Sequence, residues 1–537
     1  MTKWKKLLAL LLALVMVLSL AACGGTTSGE TDADADNAAA EESGSDTGTD
    51  AEGETADTSV LHVALTNSFT GGSAINTADP YRYSTLNQVY ETLLCYADGE
   101  YYGDLAESWE QTEPGVWSIQ LYEGITDSEG NPFTADDVAW AFDAQKDAGF
   151  TEATYYDKGA VEVVDDTHLT FTMNTDSEGA FYTIATKMLL CTQEAYDASS
   201  DHLATQPVGT GPYVVTSLTE GSSCTLTKRD DYWQTGEIAP SMVANYDTIE
   251  ISYVSEATQM AITIESGDIQ FAGQVDMSIS GQADAVDAIH CDYVSNGTYN
   301  GLGFNMNNDL VGNNLALREA ICYAIDPQGL IDSVYSGHGT VMTNYGMPTA
   351  VDYDESWTCP ISYDPETAQA KLAEAGYADG VTITLLANNV GEDAQIAELI
   401  QGYLSMVGIT VELDYVDPAT QTARIAEGNW DICLVGGMGV ADMSLFWGNL
   451  YARQSNGMSM YFHNDEALYD IYDNFAAAGG KTTENLQALY EYESSHTTWF
   501  PMFNKQVLYA IDDQYGDILY NELYMSLPYV GTLTPNA

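Results

Sequence analysis

The 537-residue sequence carries 80 acidic side chains against 15 basic ones, a formal charge of −65. So anionic a surface repels phosphate backbones and anionic headgroups, which excludes nucleic acid as a partner and direct adsorption to an anionic membrane. With 45% hydrophobic and 11% aromatic residues, the chain has the material for a large core, and its length predicts about three domains.

Lys3, Lys5 and Lys6 precede an apolar run over residues 7–18 that ends in small residues. That order marks a secretory signal, and the run is shorter than the roughly 20 residues that span a bilayer. Its tail, Leu20-Ala21-Ala22-Cys23, has the lipoprotein processing pattern. Residues 1–22 are therefore expected to be a lipoprotein signal peptide. Cys23 is the expected lipidation site, placing the mature chain on the outer face of a cell membrane or in a periplasm.

Residues 23–59 are expected to form the lipidated cysteine and a disordered acidic tether, because residues 24–59 contain no Lys, no Arg and no large apolar side chain. Asp32, Asp34 and Asp36 imitate the start of a calcium loop, but Asn37 stands where that loop needs Gly and Ser43 where it needs Glu. The run is read as solvated, and no metal site is expected.

From Val60 onward, short β-rich runs alternate with helical patterns. Strands are predicted over residues 60–65, 117–122 and 169–173 from alternating apolar positions. Thr134 with Asp137 three residues on predicts a capped helix, and Asp364 before Pro365 predicts another, closed by Gly376. Residues 381–387, 393–407 and 409–415 read as strand, amphipathic helix and strand, followed by a helix over 420–427 and a buried strand over 430–435. These units predict a mixed sheet with right-handed crossovers.

Enzymatic signatures fail along the whole chain. No Cys-x-x-Cys, His-Glu-x-x-His or Gly-x-Ser-x-Gly occurs. Gly480-Lys481-Thr482 lacks the first glycine of a phosphate loop and reads as a turn between helices. Gly209-Thr210-Gly211 runs into Pro212, so no dinucleotide-binding helix can start there. The seven cysteines after Cys23 show no zinc or redox spacing, and most are expected to be small buried hydrophobes. Neither enzymatic activity nor a cofactor is expected.

Four ordered segments carry a resemblance. Leu105-Ala106-Glu107-Ser108-Trp109-Glu110 leads through Gly115-Val116-Trp117 and a turn at 127–130 to Pro132-Phe133-Thr134-Ala135-Asp136-Asp137-Val138. Pro207-Val208-Gly209-Thr210-Gly211-Pro212-Tyr213 follows, with Asp231-Tyr232-Trp233 downstream. Then come Phe304-Asn305, Arg318-Glu319-Ala320 and Tyr323-Ala324-Ile325-Asp326, and last Tyr363-Asp364-Pro365-Glu366. In this order they resemble the extracellular solute-binding proteins of family 5, the oligopeptide- and dipeptide-binding lipoproteins of ABC importers. Thr126-Asp127-Ser128-Glu129-Gly130 departs from the family's usual sequence at the turn.

The resemblance implies an α/β fold of the periplasmic-binding-protein-like type II class (cluster C), with two main lobes on a hinge and a smaller additional lobe. Lobe I would comprise residues 60–94, 205–299 and 500–537, lobe II residues 95–204 and lobe III residues 300–499, the chain crossing near Tyr299 and Trp499. The implied function is capture of short peptides and delivery to the permease and its ATPase by a monomer. The same fold could hold a metal chelate, haem, an oligosaccharide or a signalling peptide, and a secreted hydrolase is the outlying alternative.

In the family's peptide binders, an aspartate after a buried strand and a small-residue stretch pairs with the peptide ammonium. Asp442 holds that position here, either as ligand anchor or as the cap of the helix that follows it. The family's usual proline is replaced, with Met443 and Ser444 after Asp442. Ser68 and Phe69, in the loop after the first strand, together with Tyr299 and Trp447, complete the expected ligand-binding set.

Overall fold

The computed structural model describes residues 59–75, 80–97, 99–150, 152–234, 239–295, 297–347, 350, 353–389, 392–437, 443–453, 459, 465–477, 480, 482–521, 523 and 525–536. Cys23, the tether and Asp442 lie outside the described residues. No helix among the described residues is long and apolar enough to cross a membrane.

The strands in chain order are β1 (Val60–Leu65), β2 (Leu94–Ala97), β3 (Glu100–Gly103), β4 (Ala106–Glu113), β5 (Val116–Leu121), β6 (Tyr156–Val163), β7 (His168–Met173), β8 (Tyr213–Thr219) and β9 (Ser223–Lys228). There follow β10 (Thr248–Tyr253), β11 (Phe271–Val275), β12 (Ile289–Ser295), β13 (Tyr299–Phe304), β14 (Gly339–Val341), β15 (Val381–Asn388), β16 (Ile409–Val416), β17 (Ile432–Gly437) and β18 (Trp499–Asp512). Twelve of them form one mixed sheet in the order β16-β15-β17-β13-β18-β11-β1-β10-β9-β8, with β12 and β14 also paired to β18. A separate antiparallel sheet has the order β4-β5-β7-β6.

The sequence pattern explains the elements that carry the site. Thr134 precedes the helix Ala135–Asp147, and its backbone N–H donates to Asp137 at 2.8 Å, so a capping box starts the helix. Asp364 accepts from the amides of Glu366 and Thr367 to open the helix Pro365–Glu374, and Gly376 follows with a positive φ of +91°. The predicted strand–helix–strand unit is present as β15, the helix Glu392–Met406 and β16, with β15 and β16 parallel. Two starts differ by two residues from the sequence pattern. Helix Pro418–Glu427 begins two residues early, because Asp417 caps it by accepting from the Thr420 amide. Strand β17 begins at Ile432 rather than Trp430: the Trp430 carbonyl accepts from Asn305 Nδ2 at 2.9 Å, and the Asp431 carboxylate takes the Thr384 amide and Asn308 Nδ2 at 2.8 and 2.7 Å.

Two buried side chains tie distant segments together. Asp127, 0% exposed, accepts from the amides of Glu129 and Asn131, from Asn131 Nδ2 and from the Thr192 hydroxyl, which builds the turn at Gly130. Arg229 donates to the carbonyls of Asp127, Thr210 and Gly211 at 2.9, 3.1 and 3.3 Å, joining this turn to the Pro207–Tyr213 segment. Glycine is required at Gly209, where a Cβ would stand 2.2 Å from the Val89 carbonyl oxygen. That close approach, not phosphate binding, accounts for Gly209-Thr210-Gly211. Gly480 lies between the helices Glu466–Ala476 and Thr483–His496, as an interhelix turn requires.

All seven cysteines after Cys23 are free thiols, five buried and two half-buried. Burial pushes Cys95 and Cys224 up to about 12, far from thiolate chemistry at neutral pH.

Candidate ligand-binding site

Strands β13 and β18 run antiparallel through the middle of the large sheet, and the aromatic side chains of their first residues, Tyr299 and Trp499, reach toward each other across the pair. Tyr299, 3% exposed, meets Phe446 and Trp499 edge-on at centroid distances of 5.4 and 5.8 Å. Trp499 also packs on Tyr345, and Phe446 on Trp447, which stacks on Tyr451 at 5.4 Å with the rings 7° from parallel. Such pairs add about 0.5–1.5 kcal/mol each beyond their buried area. Burial pushes the Tyr299 phenol up to about 12, so it is a neutral hydroxyl at physiological pH. Gly437 pairs with Tyr299, and a Cβ there would stand 2.5 Å from its ring. A glycine is what lets the phenol lie flat against β17.

Glu493 fixes this aromatic wall from behind. Its buried carboxylate accepts from the Tyr451 hydroxyl, the Thr498 amide at 2.6 Å and the Trp499 amide at 3.1 Å. Burial raises its pKa above the usual carboxylate range, opposed by these donors. One carboxylate thereby locks the helix Met443–Tyr451 and the start of β18 into a single arrangement.

Of the predicted ligand-binding residues, Tyr299 and Trp447 lie in this wall. Phe69, 3% exposed, belongs to the same continuous buried cluster and rests edge-on against Tyr253 at 6.2 Å. Ser68 beside it is half-buried. The loop is held by Asn67 donating to Gln274 at 3.1 Å and by the Gly72 amide donating to the Ala204 carbonyl at 2.7 Å. Asp442 and the stretch 438–441 are outside the described residues, one position before the helix Met443–Tyr451.

Two features escaped the sequence reading. Trp447 and Trp499 are both 0% exposed, and each indole Nε1 has no hydrogen-bond partner among the described residues. An unpaired buried donor costs about 1–3 kcal/mol, a cost the packing of the surrounding rings must offset. The second is a cavity of about 260 Å³ at the carboxyl ends of β15 and β17, lined among others by Asn300, Asn388, Asp393, Gln421 and Gly436. The order β16-β15-β17 makes this a topological switch point, the place where open α/β sheets bind ligands. That rule is the sequence signal that could have found Asn388, the last residue of a parallel strand followed by a helix.

Among the described residues no cluster of His, Cys, Asp or Glu could hold a metal ion.

Residues 100–458 match the family described as bacterial extracellular solute-binding proteins, family 5. The chain belongs to this family. Its members are substrate-binding proteins of ABC transporters. The di/tripeptide-binding protein 1 of Pseudomonas aeruginosa is 26% identical over 386 residues, covering 65% of this chain and 69% of that protein. The heme-binding protein A of Haemophilus influenzae is 27% identical over 459 residues, covering 77% and 81%. The crystal structure of the ABC transporter substrate-binding protein CtaP from Listeria monocytogenes superposes with a TM-score of 0.76 at 18% identity, over 90% of this chain and all of that one. The type II periplasmic-binding-protein fold expected from the sequence is thus the observed one.

Proposed function

We propose that this family 5 protein captures short peptides outside the membrane and hands them to an ABC permease, tethered by lipid on Cys23. In this reading lobe I (60–94, 205–299 and 500–537) and lobe III (300–499) close on the ligand, lobe II (95–204) packs on lobe I, and the chain acts as a monomer. The observation that carries the reading is the cavity at the carboxyl ends of β15 and β17, whose carboxamides and apolar residues suit the backbone and side chains of an extended peptide. The name of the di/tripeptide-binding relative supports the same ligand class. Asp442 supplies the carboxylate for the peptide ammonium, and Ser68 and Phe69 border the cleft from lobe I.

A second reading is a flat macrocycle. It draws on the longer alignment with the heme-binding protein and on the stacked Trp447 and Tyr451 rings. Mass spectrometry of ligand co-purified with the recombinant mature chain tests both readings. Peptides carry the first, and haem or another non-peptide solute replaces it with the second. With a peptide in hand, Asp442→Asn should weaken binding of the free-amino form far more than of its acetylated form. Equal losses would reassign Asp442 to capping.

A further inference from the structure

We infer that the cavity at the carboxyl ends of β15 and β17 is a side-chain subsite that selects hydrogen-bond donors, such as ammonium, guanidinium or carboxamide groups, and rejects carboxylates. The inference deepens the peptide-capture reading and rests on it for the identity of the whole ligand.

Every polar side chain the described residues place in this cavity is a carboxylate or a carboxamide: Asp393, Asn300, Asn388 and Gln421, with no lysine or arginine among them. Lys505 lies nearby but is committed to Glu392, Nζ to Oε2 at 2.9 Å, and the same Oε2 accepts from the Tyr335 hydroxyl at 3.0 Å. Asn388 donates one N–H of its Nδ2 to Asp393 Oδ2 at 2.8 Å, and its Oδ1 is buried and without a partner among the described residues, an open acceptor. Asn300 donates one N–H of its Nδ2 to the Phe503 carbonyl at 3.5 Å, a long bond. The carboxamides can turn either group toward a ligand, so the bias toward accepting comes from the Asp393 carboxylate and the unpaired Asn388 Oδ1.

The floor is apolar, made by Ile396, Leu434 and Met502, so it takes a methylene stem while the polar rim takes its tip. The start of the helix Glu392–Met406 contributes a partial positive charge, but Glu392 and Asp393 already occupy its first turn. A bound carboxylate would face Asp393 with no cation to offset the repulsion.

The test uses the purified mature chain, first with small probes that need no assumption about the whole ligand. Saturation-transfer NMR with n-butylammonium, butyramide and butyrate should give signals for the first two and none for the third. Butyramide separates the subsite from general attraction of cations to an acidic protein. The signals should fall in Asn388→Leu and, for butylammonium above all, in Asp393→Asn, which keeps the shape of the side chain. Butyrate signals equal to butyramide's, or signals unchanged in Asp393→Asn, would overturn the inference.

Tripeptides with Lys, Gln, norleucine or Glu at each position then give calorimetric affinities. At one position Lys or Gln should exceed Glu by about tenfold or more, as an unpaired buried acceptor and a facing carboxylate dictate. Tight binding with no preference at any position overturns the subsite. Positive small-probe data with no tripeptide binding supports the subsite and defeats peptide capture.

Discussion

The rings of Tyr293 and His338 lie face to face, their centroids 3.4 Å apart and 3° from parallel. Tyr293 is on β12 and His338 directly precedes β14, and both strands pair with β18, over residues 506–512 and 503–505. Ser336 and Gly337, with φ of +53° and +89°, turn the chain out of the helix Pro327–Val334 and deliver the imidazole onto the phenol. Along β18 this stack joins the stretch that pairs with β12 to the stretch that pairs with β14. A double-mutant cycle of Tyr293→Leu and His338→Ala should return a coupling of about 0.5–1.5 kcal/mol in denaturant unfolding. Additive losses would mean that the stack holds nothing together.

Glu91 and Asp104 form a buried acid pair, 0% and 1% exposed. Glu91 accepts from the Tyr232 hydroxyl at 2.7 Å and Trp233 Nε1 at 2.9 Å, while Asp104 accepts from the Thr92 amide at 2.9 Å and keeps a buried Oδ1 with no donor. A proton shared between the two carboxyls would satisfy that oxygen. Burial, then the charge of Glu91, pushes Asp104 well above the usual carboxylate range, and Cys95 and Tyr529 beside it are raised as well. Because the folded-state pKa is raised, the stabilisation is complete below the unfolded carboxylate pKa and is lost as pH rises through the raised value. Thermal stability followed from pH 5 to 9 should therefore decline on the alkaline side. In Asp104→Asn, whose amide donates to Glu91 without titrating, the decline should shrink by on the order of 1–3 kcal/mol. Parallel curves for the two proteins would remove the shared proton.

Arg318 is 3% exposed and donates to four backbone carbonyls, those of Val311, Gly312, His496 and Thr497, at 2.7, 2.8, 2.6 and 3.0 Å. Lysine has one nitrogen where arginine has a fork of three. Arg318→Lys should cost about 2–3 kcal/mol in urea unfolding, since buried carbonyls lose charged donors. A loss within error would show that water replaces the guanidinium.

Glu493→Ala should strand the Tyr451 hydroxyl and the Thr498 and Trp499 amides, costing about 3 kcal/mol or more, whereas Glu493→Gln should cost about 1 kcal/mol because the amide oxygen still accepts. Near-ultraviolet circular dichroism should change with the alanine variant, as Trp447 and Trp499 lose their common anchor. An unchanged aromatic spectrum would contradict that role.

The elements most legible in the sequence were those with a local cause. β1 lies over the residues its alternation marks, and the caps at Thr134 and Asp364 open their helices because the partner atoms sit within three residues. The strand–helix–strand unit from 381 to 416 was visible in its change of period. What was not legible depends on residues far apart in sequence. Glu493 meets Tyr451 from 42 positions away, Asn300 reaches the Phe503 carbonyl across 203, and Tyr293 finds His338 only after β18 has paired with both of their strands. The family resemblance places a chain crossing near Trp499, but nothing local says that its indole N–H is left over; that emerges only once the surrounding rings are in place.

The seven reduced sulfurs of the folded chain have a consequence for its manufacture. A polypeptide that emerges unfolded on the far side of a membrane commonly waits for an oxidase to set its covalent crosslinks. No crosslink joins the described cysteines here, so the same native state should form in aerated and in strongly reducing surroundings, at a rate indifferent to dithiothreitol.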